Sequence, residues 1–102
     1  IRQQYRQAFA SLYDKVDLLM TPAAPTTAPL GLHATGSPAF NLPFTNLGVP
    51  TLVLPVGLSA DTRLPVGMQL IAPNLEEQRL IHVGHRYQQE TDWHRRWAPN
   101  VI

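Results

Sequence analysis

The chain has 102 residues, with 8 basic and 7 acidic side chains, 4 His, 10 Pro and no Cys. A formal charge of +1 supplies no clustered basic field for nucleic acid, and the lack of Cys excludes a disulfide framework, a thiolate zinc site and a Cys nucleophile. No Pro-free, uncharged run approaches the ~20 apolar residues that a membrane-spanning helix needs.

The first element is an amphipathic helix from Arg2 to about Lys15. Tyr5, Phe9, Leu12 and Val16 recur three or four apart, with Arg2, Gln3, Arg6 and Gln7 opposite. This charged opening does not have the build of a signal peptide, and the first residue is Ile, so the chain is expected to be a piece of a longer polypeptide. Asp17–Met20 reads as a short buried strand stopped by Thr21-Pro22. Ala23–Leu42 reads as loop, because Pro25, Pro29, Gly31, Gly36 and Pro38 interrupt any long regular element.

Thr51–Leu58 is aliphatic on both faces and suits a central strand. Pro55 lacks a ladder donor and predicts a bulge or a strand end there. Ser59–Pro65 reads as an exposed hairpin turn, and Val66–Ala72 as the returning strand. The last helix is expected to open at Pro73-Asn74, with Asn74 and Glu77 forming a capping-box pair. Leu80, Ile81, Gly84 and Tyr87 would form its inner face, with Gly84 allowing close approach to a sheet. The tail Thr91–Ile102 is charged, contains Trp93 and Trp97, and is expected to wrap the outside.

From Leu18 to Ala60 no residue is Asp, Glu, Lys or Arg, and nine of the ten prolines lie between Pro22 and Pro73. Disordered Pro-rich linkers carry charge and few aliphatic residues, whereas this region holds runs such as TLVLPVGL and GMQLIA. A domain this small buries only about 60–65% of its unfolded surface, too little to hide such a stretch alone. The middle is therefore expected to be covered by the rest of a longer chain or by a second copy.

Few side chains offer chemistry. His82 and His85 sit three apart on the last helix, but no carboxylate supplies a third ligand, which makes them a solvated face. Ser11, Ser37 and Ser59 lie outside any G-x-S-x-G elbow, and His33 is the single base near Ser37. Lys15, the sole lysine, sits between Asp14 and Asp17, where surface pairing accounts for it. The six glycines form no phosphate-binding loop. Trp93 and Trp97 beside Arg95 and Arg96 are placed either to stack on a ligand or to pack on their own domain. Spacing alone assembles no active site.

The segments DLLMTPAAPTTAP, TGSPAFNLPFTNLGVPTLVLPVG, LPVGMQLIAPNLEEQRLI and ETDWHRR occur in this order and cover about Tyr13 to Arg96. Together they resemble the C-terminal end of amidase signature family enzymes. The resemblance implies an α/β fold, part of an α/β/α sandwich with a mixed sheet, of which residues 1–102 form the C-terminal segment of one domain. It also implies amide hydrolysis by a Ser nucleophile, a bridging Ser in a cis peptide, a Lys base and Gly-Ser oxyanion donors. All of these lie upstream in full-length members, and no position here matches them.

What the resemblance carries over is one pocket wall, from Thr35 to Asn46, with Thr35, Pro38 and Leu42 expected to face the substrate. No cofactor or metal is implied, the expected ligand is a small-molecule amide, and the expected compartment is the cytoplasm. Members that form the amidase component of a tRNA-dependent glutamine amidotransferase use an acidic residue in this loop. Here the matching place lies near Pro38 and is uncharged, which favours a generic amidase over that alternative. A reading from a different class is a non-enzymatic module docking through the polyproline-like strip Ala23–Pro29.

Overall fold

Aliphatic and β-branched residues build the centre of the molecule. The computed structural model describes residues 2–99. Strand β1 spans Leu19–Pro22, β2 spans Thr51–Leu58 and β3 spans Pro65–Ile71, in a three-stranded sheet of order β1-β3-β2. Both pairings are antiparallel, so no mixed pairing occurs among the described residues. β2 has the expected bounds but lies at an edge, and the hairpin partner β3 takes the centre. β1 is displaced two residues along the chain, which places Pro22 on an edge strand, where a missing donor is tolerated.

The hairpin turn is closed by Ser59 N–H donating to Leu64 O (2.8 Å) and Arg63 N–H to Ser59 O (2.9 Å). Beside Pro55 the register shifts, with Pro55 opposite Gly67 and Gly57 opposite Val66. Val56 is the extra residue of this bulge, which relieves the ladder of the donor that proline lacks.

Strand alternation gives the sheet two unlike faces. On one, Leu54, Leu70, Ala72 and Leu80 form the buried core, with Leu18, Leu52, Met68 and Tyr87 packed around it. Helix α3, Glu77–Glu90, covers this face through Leu80, Gly84 and Tyr87, which recur four and three apart. Ile81 lies a quarter turn away and is 64% exposed, outside the inner face expected of it. Leu54 is 4% exposed and Val53, its neighbour on the opposite face, is 51% exposed. The uniform apolar run of β2 therefore does not mean burial on both sides.

The expected capping box is absent. α3 begins at Glu77 with Glu76 as its N-cap and no side-chain cap bond. Leu75 has φ +65, which breaks helical continuity, and Pro73–Glu76 instead form a turn closed by Glu76 N–H to Pro73 O (3.0 Å). Arg79 fastens the helix start, donating to Asp17 O at 2.9 Å and to Glu76 Oε1 at 3.0 Å.

The second face carries the Pro-rich chain and two helices. Helix α1, Arg2–Leu12, buries Phe9 against Phe44 and Tyr13, while Tyr5 and Leu12 remain exposed, so its apolar stripe is only partly used. Tyr13 reaches the sheet by donating its hydroxyl to Ile71 O (2.8 Å). Helix α2, Leu42–Leu47, begins at the end of the expected loop Ala23–Leu42, in a stretch to which the sequence assigned no element. Six residues are too few for a readable period, Pro43 suits a first turn, and Gly48 closes the helix at φ +71 with its N–H on Phe44 O and Thr45 O.

After α3 a 3-10 turn, Trp93–Arg95, lies against β2. The Trp93 ring faces Gly57, and the Arg96 guanidinium stacks 4.1 Å above it while pairing with Asp92. Trp93 thus packs on its own domain, whereas Trp97 is exposed. The end of the expected tail, residues 100–102, lies outside the described residues.

Candidate functional site

Between the Pro-rich chain and the second face of the sheet runs a groove of about 740 Å³. Its outer wall is Pro22–Pro29 together with Thr35–Ser37; its floor is Val53 and Pro55 of β2 with Val66 and Gly67 of β3. Successive prolines hold the outer wall in bent, non-helical backbone. The floor is low because Gly67 has no side chain: a Cβ there would lie 3.2 Å from both Ala23 Cβ and Val53 Cγ1.

No lining residue is Asp, Glu, Lys, Arg or His. The polar lining consists of Thr and Ser hydroxyls and backbone. Ser37 Oγ accepts from Ala39 N–H at 3.2 Å, and Thr26 Oγ1 donates to Thr27 O at 3.0 Å, so both serve local turns. No lining hydroxyl has a Lys, His or carboxylate hydrogen-bond partner among the described residues, so none has a base to remove its proton.

The three wall residues expected from the sequence part company. Thr35 lines the groove. Pro38 turns the chain into α2, its carbonyl accepting from Asn41 N–H (3.0 Å) and Leu42 N–H (2.9 Å). Leu42 is the first residue of α2 and is 53% exposed, away from the groove lining. Val53 and Gly67 are floor residues that sequence reading passed over. The glycine stood within the L-P-x-G-x-Q stretch, but nothing in a single sequence shows which chain crosses above it.

Other titratable groups lie apart from the groove. His33, His82 and His85 are exposed, and among the described residues no three His, Cys, Asp or Glu side chains gather as a metal site. His94 Nδ1 is buried without a hydrogen-bond partner. Burial pushes the Tyr13 hydroxyl up to about 12, against a smaller opposing pull from Arg79. No helix among the described residues is long and apolar enough to cross a membrane.

Fold and groove define an α/β segment that presents one uncharged wall. The family model described as Amidase matches residues 1–81, and the chain belongs to the amidase family. It is 36% identical over 104 residues to the A subunit of the glutamyl-tRNA(Gln) amidotransferase from Coxiella burnetii (strain RSA 493 / Nine Mile phase I), covering 93% of this chain and 21% of that protein. It is 40% identical to the proteins of the same name from Roseiflexus sp. (strain RS-1) and Chloroflexus aggregans, covering 94% of this chain in each case. The chain spans about a fifth of the length of these relatives.

Proposed function

We propose that the chain is the part of an amide hydrolase that supplies sheet strands and one wall of the acyl pocket. The observation that carries this is the groove without a charged lining residue, in a chain of the amidase family. C–N hydrolysis needs an activated hydroxyl, a base and oxyanion donors. In this reading all of these lie on polypeptide outside residues 1–102, since no segment here matches the family's catalytic elements. What this chain contributes is selection and exclusion of water. An uncharged wall accepts a neutral apolar or aromatic acyl group, and rejects an unpaired carboxylate or ammonium, whose desolvation costs several kcal/mol. In this reading the chain contacts the remainder of its polypeptide and a small-molecule amide, needs no cofactor, and works in the cytoplasm.

The test is a panel of amides offered to the complete polypeptide that carries this segment. Turnover of neutral aliphatic and aromatic amides is expected to exceed that of glutamine and other charged amides. A preference for glutamine would overturn the neutral-pocket reading.

A second reading is favoured by the names of the relatives, which are components of an enzyme named for glutamyl-tRNA(Gln). Under it the same groove sits in the amidase component of a multi-subunit amidotransferase. Ammonia released from glutamine in the presence of glutamylated tRNA, with neutral amides left uncut, would establish this reading instead.

A further inference from the structure

Gln69 is the one buried polar or charged side chain among the described residues, 3% exposed at the middle of the central strand β3. It stands opposite Thr21 of β1 and Val53 of β2, on the face that floors the groove. Its Nε2 donates to Thr21 Oγ1 at 3.0 Å and to Phe40 O at 2.7 Å. A backbone carbonyl only accepts, so the amide nitrogen must face Phe40. Phe40 follows the groove-lining residues Thr35–Ser37 by three positions and precedes α2 by two.

We infer that Gln69 is a positioning residue: its amide pins the Thr35–Phe40 loop to the centre of the sheet and so sets the width of the groove. The chain from Ala23 to Asn41 has no helix or strand of its own, and its prolines remove donors that could otherwise tie it down. The side-chain tie from Thr62 Oγ1 to Thr27 Oγ1 spans 3.5 Å, the outer limit of a hydrogen bond, so it holds the loop far less firmly than Gln69 does. A donor buried in low dielectric holds its acceptor firmly, because leaving either group unpaired there is costly. The inference that groove width governs substrate rests on the amide-hydrolase reading; the inference that Gln69 holds the loop does not.

Two readouts on the complete polypeptide keep these apart. Gln69→Met keeps length and shape and removes both donated bonds. Amide exchange at Asn41, Leu42 and Thr45 is expected to speed up about tenfold, the size of one lost buried hydrogen bond, with Ser59 and Ala72, which close the two ends of the hairpin ladder, unchanged. On a neutral amide, KM is expected to rise about tenfold with kcat kept within about threefold, as for lost positioning of bound substrate. Unchanged exchange at Asn41–Thr45, or an equal rise across loop and ladder, overturns the inference. So does an equal fall in kcat and kcat/KM. Wild-type protein that cuts no amide refutes the proposed function and leaves the exchange result to decide the role of Gln69. If Gln69→Met does not fold, Gln69→Thr suits the strand but is too short to reach Phe40 O, and a loop as protected as in the wild type then overturns the inference.

Discussion

A Cβ placed on Gly84 would lie 2.7 Å from Leu52 Cδ2, so α3 approaches β2 closely enough that any side chain at that position would force the Leu52 side chain to shift. Gly84→Ala therefore sets two effects against each other. Alanine favours the helix by up to ~1 kcal/mol, whereas overpacking a filled core costs about 1–3 kcal/mol. Overpacking is expected to win, lowering the urea midpoint. Because the overlap is with one methyl, Leu52→Ala combined with Gly84→Ala should cost less than the two changes summed. An additive pair would show that the helix simply moves away.

The two faces of β2 yield a contrast between adjacent residues. Leu54, 4% exposed in the core under α3, is expected to lose about 2–5 kcal/mol on truncation to alanine. Val53, 51% exposed on the groove floor, should lose no more than ~0.5 kcal/mol. Denaturant unfolding of the two variants reads this directly. Similar costs would mean that the groove face is filled rather than open.

This contrast marks how far the sequence could be read. The bounds of β2, the bulge at Pro55, the hairpin and the apolar face of α3 follow from local rules, since proline lacks a donor and Leu80, Gly84 and Tyr87 recur at helical spacing. Central against edge placement does not follow, because an aliphatic run looks alike in either position. The capping box failed for a reason no pattern shows: Leu75 takes a positive φ, and the turn it makes uses up Asn74 before the helix starts. At the groove, Thr35, named through the family resemblance, lies in the lining. Val53 and Gly67 were not marked by any local pattern, because the chain crossing above Gly67 does so at Ala23, 44 residues away.

Tyr13 gives the stability a dependence on alkaline pH. Its hydroxyl ionises near 12 in the folded chain against 10.0 unperturbed, chiefly because burial disfavours the phenolate. A raised folded pKa means that the unfolded chain gives up its proton first. The contribution is full below pH 10 and is lost as pH rises toward 12. Tyr13→Phe should flatten that part of the stability profile, besides losing the bond to Ile71 O. An unaltered slope between the two values would assign the alkaline loss to other groups.

Residues 1–102 alone should have no amidase turnover. Ser37 is engaged with Ala39 N–H, Ser11 donates to Ala8 O, and no base stands beside a groove hydroxyl among the described residues. Without an activated nucleophile and its oxyanion donors, acyl transfer keeps little of its enhancement. Release of ammonia from a neutral amide by the purified chain, abolished by Ser37→Ala or Ser59→Ala, would contradict this. Release that survives both changes would point to a contaminant.

The same chain, isolated, is also expected to self-associate. β2 is the longer of the two edge strands, eight residues with one side unpaired in the sheet, and its apolar face is half open at Val53. Unpaired strand edges invite pairing with another chain, and natural edges are blunted by charge, shortness or bulges. β1 is blunted by its four residues and by Pro22, whereas β2 carries no charge along its length and its one bulge sits beside Pro55, leaving Thr51–Leu54 regular. Leu58 at the end of the same strand is 38% exposed as well, and contiguous exposed apolar surface beyond a few hundred Å² is unusual on a monomer. Sedimentation of residues 1–102 should therefore show mass rising with concentration. Val53→Lys places a charge on the open strand and should return the species to monomer without loss of helix or sheet signal. A compact monomer whose Thr51–Leu54 amides are already protected would show that the edge is closed from within the chain. It would also revive the reading of this segment as a module that stands alone.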